Sequence, residues 1–270
     1  MSEFIRYDVA DGIGTITIDR PEKRNAMTFA MLVEFIETVR TAGADDDARV
    51  VIVTGTGGAF CAGTDLADLN TIPGETRGVR GRADEADVWW PLASCPKPVI
   101  AAVDGPAVGM GAEFTSQCDV RIASSRARFA WNFVHRGLVP DTGAGTWLLP
   151  RIIGLTPALR LLYSGEFLQA DEALELGYVA RVVEPDELMN AAVEEARRFL
   201  AGSPFSQRLI KDLVYRGLER DLGEHMRNHV TSLQACFRSE DHKEGVASFL
   251  ERREARFTGR GETPRTPPGR

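Results

Sequence analysis

Apolar residues recur along this chain with two periods, and the places where one gives way to the other mark its elements. After an Asp11-Gly12 turn, residues 13–18 alternate apolar with small or polar side chains, the pattern of a half-buried hairpin strand at a sheet edge. Residues 50–53 (VVIV) and 99–103 (VIAAV) are unbroken apolar runs, which predicts strands buried on both faces. Between them the period changes: Leu32, Phe35, Ile36 and Val39 fall on one face of a helix that Thr28 caps and Gly43 ends. Residues 120–123 and 129–134 read as further strands. The last third is helical, from Thr156-Pro157 through Leu162 and from Pro185-Asp186 to Leu200, with a short strand over 179–183 between them. Gly202-Ser203-Pro204 then divides a domain over 1–202 from three helices over 206–218, 222–237 and 241–257, a helical region spanning 203–258. The tail, 259–270, rich in Gly, Pro, Thr and Arg, is expected to be disordered.

Two loops stand out because each follows a buried strand and is built from small residues. After 50–53 comes Gly55-Thr56-Gly57-Gly58-Ala59-Phe60-Cys61-Ala62-Gly63-Thr64-Asp65. It is not a nucleotide loop: Thr64 stands where GxxxxGK[ST] needs lysine, and Phe60 where a third glycine is needed. Asp65 is placed to cap a helix beginning near Leu66. After 99–103, Asp104-Gly105-Pro106 ends the strand in a turn, and Gly109-Met110-Gly111 opens a helix with no side chain to cover its backbone N–H groups. One N–H at Thr64 and one at Met110 would together make an oxyanion hole, with the positive end of the helix dipole behind it. Glu113, one turn into that helix, is positioned to move a proton on whatever the hole holds; the alternative is an ordinary surface acid.

Composition narrows the partners. At 270 residues, 43% hydrophobic and 26% charged, the chain has enough material for one large core or a core with a small second domain. A net charge of -7 lacks the basic face that nucleic-acid or membrane-surface binding needs. No apolar leader or 18-residue apolar span occurs, so the chain reads as cytoplasmic. Cys61, Cys95, Cys118 and Cys236 form no CxxC pair, and His225 and His229 lack HExxH, so no metal site is expected. His135 reads as structural.

The segments AFCAGTDL (59–66), KPVIAAVDGPAVGMGAE (97–113) and CDVRIAS (118–124), with RPEKRNAM (20–27) early and DHKEGVASFLERR (241–253) late, together resemble the crotonase superfamily, the enoyl-CoA hydratase and isomerase family. The resemblance implies an α/β fold, a spiral of repeated ββα units with a C-terminal helical trimerisation region that builds a homotrimer or a dimer of trimers. It implies an acyl-CoA substrate whose thioester oxygen is held by the Thr64 and Met110 N–H groups, with no cofactor beyond the CoA that the substrate carries. It also implies CoA contacts at Ala62 and Leu66, and at Phe249 and Arg252 from a neighbouring subunit.

Two departures set the expected chemistry. Hydratases of the family place a second glutamate four residues before a glycine, and here Phe133 stands four before Gly137. Asp141, four after Gly137, matches an acid that some isomerases of the superfamily use, and would work with Glu113; a helix-capping role ahead of Trp147 is the other reading. Trp89 and Trp90 are candidates for the acyl-pocket wall with Phe133, or else pack a helix, while Arg77, Arg80 and Arg82 either meet CoA phosphates or form a solvated loop. The sequence therefore favours double-bond isomerisation through an enolate over hydration. A conventional 2-enoyl-CoA hydratase and a catalytically silent acyl-CoA-binding protein are the alternatives, and RNA binding is disfavoured by the acidic balance.

Overall fold

The computed structural model describes residues 4–65, 68, 89–262 and 264; Leu66, Arg77, Arg80 and Arg82 lie outside them. The chain divides into two compact units, Met1–Cys95 with Val99–Ala196, and Pro96–Pro98 with Arg197–Arg270.

The first unit opens with the hairpin of β1 (Ile5–Ala10) and β2 (Ile13–Ile18), turned by Asp11 and Gly12, both at positive φ. Helix α1 (Phe29–Ala44) follows, with Thr28 accepting the Met31 N–H as its cap, and then β3 (Val50–Gly55). Beyond a short helix α2 (Pro91–Ser94), the chain twice repeats one plan. Strand β4 (Val99–Val103) joins a large sheet, β5 (Pro106–Val108) joins a small one, and helix α3 (Met110–Gln117) closes the unit. Strand β6 (Val120–Ser124) joins the large sheet and β7 (Arg128–Ala130) the small one. Helical turns then follow: a 3-10 turn (Asn132–Arg136), α4 (Ala144–Trp147), α5 (Leu149–Ile153) and α6 (Leu155–Ser164). Strand β8 (Leu168–Gln169), helix α7 (Ala170–Glu175), strand β9 (Arg181–Val183) and helix α8 (Leu188–Leu200) complete the run, the last residues of α8 passing into the second unit. The large sheet runs β1-β2-β3-β4-β6-β9, parallel except for the β1/β2 hairpin, and the small sheet runs β5-β7-β8.

Strands β3 and β4 lie in the middle of the large sheet, which is why their sequences are uninterrupted apolar runs. Val51 pairs with Val99 and Thr54 with Ala102, so that β3 and β4 end side by side and deliver the two small-residue loops to the same edge. Helix α3 is held against α1 by Phe114 stacked on Phe35, with ring centroids 4.7 Å apart. Burying such a pair contributes roughly 2 kcal/mol per ring from removed apolar area, and it fixes the helix that carries Glu113.

The second unit contains α9 (Pro204–Gly217), α10 (Leu222–Arg238) and α11 (Glu240–Glu251), capped by Ser203, Asp221 and Ser239 respectively. Its small core is Phe205, Leu209 and Ala235. Three expectations need correction. The strand expected over 129–134 ends at Ala130, because Asn132–Arg136 coils into a 3-10 turn closed by Gly137 at φ 67°. The last helix stops at Glu251 rather than 257: Arg252 adopts a left-handed cap, and Glu244 draws back the chain by pairing with Arg253 and accepting the Arg256 N–H. The start of the expected disordered tail is held in place, since Asp241 accepts the Thr258 and Gly259 N–H groups and Gly261 lies against the Phe205 ring. Among the described residues no helix is long and apolar enough to cross a membrane.

Candidate active site

The two loops meet at the N-terminus of α3. Val108 N–H donates to the Cys61 carbonyl, and an added Cβ at Gly111 would land on that carbonyl oxygen, so the loop and the helix touch backbone to backbone. Thr64 bridges Met27 in parallel register, which engages the Gly63 carbonyl and the Asp65 N–H but leaves the Thr64 N–H facing the other way. Gly63, at φ 95°, makes this turn possible; a Cβ there would sit 2.9 Å from the Val108 oxygen and 3.6 Å from the Met110 nitrogen. Met110 is the first residue of α3, so its N–H has no carbonyl one turn back to accept it. Among the described residues neither N–H has a hydrogen-bond partner. Two backbone donors from two loops are thus left beside each other at the positive end of a helix, with the Met110 side chain itself buried.

Glu113 is fully buried, which rules out a surface role. Its Oε1 accepts the Gly145 N–H at 2.7 Å and its Oε2 the Thr142 hydroxyl at 2.6 Å. Desolvation, followed by the negative charge of Asp141, raises its pKa from 4.5 to about 8, against the opposing pull of the hydrogen bonds from Thr142, Gly145 and Ala144. Asp141 also adds to the burial that pushes the Cys61 thiol up to about 12. The same aspartate therefore faces both the acid and the first loop. It does not cap the following helix: the cap position belongs to Gly143, and the Thr142 hydroxyl takes the Ala144 N–H at 3.3 Å.

Phe133 is 8% exposed, and its ring tip lies 3.8 Å from where a Cβ on Gly109 would be, so an apolar ring flanks the entrance to α3. Trp90 is half-buried and donates its indole N–H to the Thr142 carbonyl at 2.9 Å; the Trp89 carbonyl accepts from Gln117 at 3.3 Å. Trp90 thus braces the loop that carries Thr142, while Trp89 contacts the end of α3 through its backbone carbonyl. Ala62 is half-buried, with its N–H donating to the Arg24 carbonyl. In the second unit Phe249 is 83% exposed and Arg252 is exposed at the end of α11. His135 has the structural role expected, its Nε2 within 2.8 Å of the Ser164 carbonyl oxygen. Among the described residues no cluster of His, Cys, Asp or Glu has the arrangement of a metal site.

Three participants are absent from the sequence reading as contacts of Glu113: Thr142, Gly145 and, behind Thr142, Gln117. Gly145 had a signal, the small-residue run 143–145, and the reason is now visible: a Cβ there would overlap Glu113 Oε1 and come within 2.8 Å of Trp131 Cδ1. Thr142 and Gln117 carry no motif and are found only by folding.

The family model described as enoyl-CoA hydratase/isomerase matches residues 8–260. The chain is 37% identical over 245 residues to a short-chain-enoyl-CoA hydratase of Clostridium acetobutylicum, covering 89% of this chain and 92% of that one. It is 36% identical over 263 residues to a 1,2-epoxyphenylacetyl-CoA isomerase of Escherichia coli, covering 96% and 100%. The crystal structure of an enoyl-CoA hydratase from Bacillus anthracis superposes with a TM-score of 0.87 at 30% identity over 96% of this chain and 100% of that one. The chain belongs to the enoyl-CoA hydratase/isomerase family of the crotonase superfamily and has the crotonase fold; it is an enzyme of the hydratase/isomerase type.

Proposed function

We propose that this enzyme moves a double bond within an acyl-CoA thioester through an enolate, in preference to adding water. The thioester oxygen accepts the Thr64 and Met110 N–H groups, which stabilise the charge that develops when a proton leaves C2. Glu113 as carboxylate takes that proton; its return to C4 of the dienolate completes the shift, with Asp141 as the second acid of the pair. CoA lies along Ala62 and Leu66, completed by Phe249 and Arg252 of a neighbouring copy in a trimer or dimer of trimers. No separate cofactor takes part.

The observation that carries this reading is a buried Glu113, with pKa raised to about 8, beside a hole whose other flank is the apolar ring of Phe133, at the position where family hydratases carry their second glutamate. Activating water for addition takes two carboxyl groups, whereas proton shuttling is favoured by a dry, apolar site. Conventional hydration is the second reading, favoured by the resemblance to a short-chain-enoyl-CoA hydratase. Chromatographic separation with mass analysis of products from matched 2-enoyl-CoA and 3-enoyl-CoA esters decides between them, because hydration adds the mass of water, whereas isomerisation gives a product of unchanged mass that elutes with the authentic isomer. Bond migration is expected to be at least as fast as hydration, and Asp141→Asn to slow migration more than it weakens binding. Efficient hydration untouched by Asp141→Asn would establish the hydratase reading instead.

A further inference from the structure

We infer that Thr142 is a positioning residue whose hydroxyl is wired to donate in one direction only, into Glu113, and so fixes where the catalytic proton sits. This rests on the role of Glu113 proposed above. A threonine hydroxyl has one proton and two lone pairs. Two donors approach Thr142 Oγ1, Gln117 Nε2 at 3.4 Å and Ala144 N at 3.3 Å, the Ala144 N–H being shared with the Glu113 carboxyl. In the observed orientation Gln117 Nε2 also donates to the Trp89 carbonyl at 3.3 Å, while its Oε1 is buried without a hydrogen-bond partner. Gln117 is wholly buried. The backbone at Thr142 is fixed in turn by the Trp90 indole N–H on its carbonyl.

With its lone pairs directed at donors, the hydroxyl has one place to send its proton, Glu113 Oε2 at 2.6 Å, the length of a charge-assisted bond. Gly145 N–H occupies Oε1 in the same sense. Each carboxyl oxygen therefore has one position closed by a donor, and a proton on neutral Glu113 is confined to those that remain. With Gln117 and the shared Ala144 N–H directed at its oxygen, Thr142 is placed to donate to Glu113 rather than to take its proton. It instead favours the carboxylate, opposing burial and the negative field of Asp141. The Cys61 thiol, on which Asp141 also acts, stays neutral with its pKa at about 12.

Removing the hydroxyl weakens the charged form, so the Glu113 titration moves to higher pH. A hydrogen bond to a charged group is expected to displace the titration by about one pH unit or more. The test compares wild type, Thr142→Val and Thr142→Ser, with Thr142→Ala as a second deletion should valine disturb the fold. Two readouts are taken: the carboxyl carbon-13 NMR titration of Glu113, assigned by its loss in Glu113→Gln, and the pH profile of double-bond migration in trans-3-hexenoyl-CoA. Valine or alanine is expected to move both the titration and the rising limb of the profile upward together. At pH 7 turnover then falls about tenfold for each pH unit that the rising limb moves, is recovered at higher pH, and leaves KM little changed; serine restores the wild-type curves. An unmoved titration, or a turnover loss that is the same at every pH, overturns the proposal. Glu113→Gln with undiminished turnover would instead remove Glu113 from the chemistry, and that result is independent of whether the titration moves.

Discussion

At the scale of single residues, Glu113 is held far from its solution chemistry, and two consequences follow. Glu113→Gln keeps the side chain's size and removes the exchangeable proton, so turnover is expected to fall by about 10²-fold or more with little change in acyl-CoA affinity. The second consequence concerns stability without substrate. Because the folded chain holds its Glu113 proton up to about pH 8 while the unfolded chain releases it near 4.5, the native state is favoured by that proton at low pH. The advantage is lost progressively as pH rises from about 4.5 to about 8. Glu113→Gln has no such dependence, so the difference in Tm between the glutamine variant and wild type is expected to grow across that window, measured by calorimetry in matched buffers. A constant difference would mean that Glu113 titrates as it does in water. Glu113 and Asp141 were legible from sequence because their neighbours form motifs. Thr142 was not, since a threonine in a turn advertises nothing until the fold brings it within 2.6 Å of the acid.

At the scale of elements, the contact between the first loop and α3 decides whether two N–H groups point at one oxygen. Gly111 has no room for a side chain, because the Cys61 carbonyl occupies the space and is backbone rather than a flexible tip. Gly111→Ala must push α3 away from the loop, an overpacking that costs about 1–3 kcal/mol. It also separates Thr64 from Met110, so activity is expected to fall beyond what the lower Tm explains when both are measured well below the transition. Gly137→Ala makes a useful control: it strains the backbone at φ 67° but places its Cβ where nothing lies within 4 Å, so it should lower Tm without moving the two N–H groups. Most elements were readable from periodicity, and those that were not fail for a common reason. Strand β5 and the 3-10 turn at Asn132–Arg136 are three and five residues long, too short to show a period, and are set by pairing with β7 and by the Gly137 cap. The last helix is overlong in the sequence reading because Arg252 and Arg253 are good helix formers; a tertiary clasp on Glu244 overrides that preference.

At the scale of the whole molecule, the second unit carries a surface that its own small core does not use. Phe249 is 83% exposed and Leu250 74%, and with Val246, Phe257 and Cys236 they line an open groove of about 480 Å³ between α10, α11 and the segment after them. Phe237 and Leu222, both more than half exposed, add to the apolar area of α10. Exposed apolar side chains of this kind are the surface that the proposed trimer would cover. If assembly completes the CoA site, as the proposed trimer requires, then deleting residues 239–270 should lower both the mass seen by light scattering and the affinity in a CoA titration. That deletion also removes Asp241, which ties Ser203 and the chain at 258–259 into the second unit, so lost folding would imitate lost assembly. The sharper variant is Phe249→Ser, which leaves the Asp241 clasp intact and changes one side chain that is already mostly in solvent. It is expected to weaken CoA binding and to leave the stability of the dissociated chain within about 0.5 kcal/mol of wild type, as for other surface changes. Mixing Phe249→Ser chains with Glu113→Gln chains then tests the sharing directly. Mixed trimers contain sites that pair an intact Glu113 with an intact Phe249 from a neighbour, so activity should exceed the average of the two parents. Activity equal to that average would place Phe249 outside the neighbour's site.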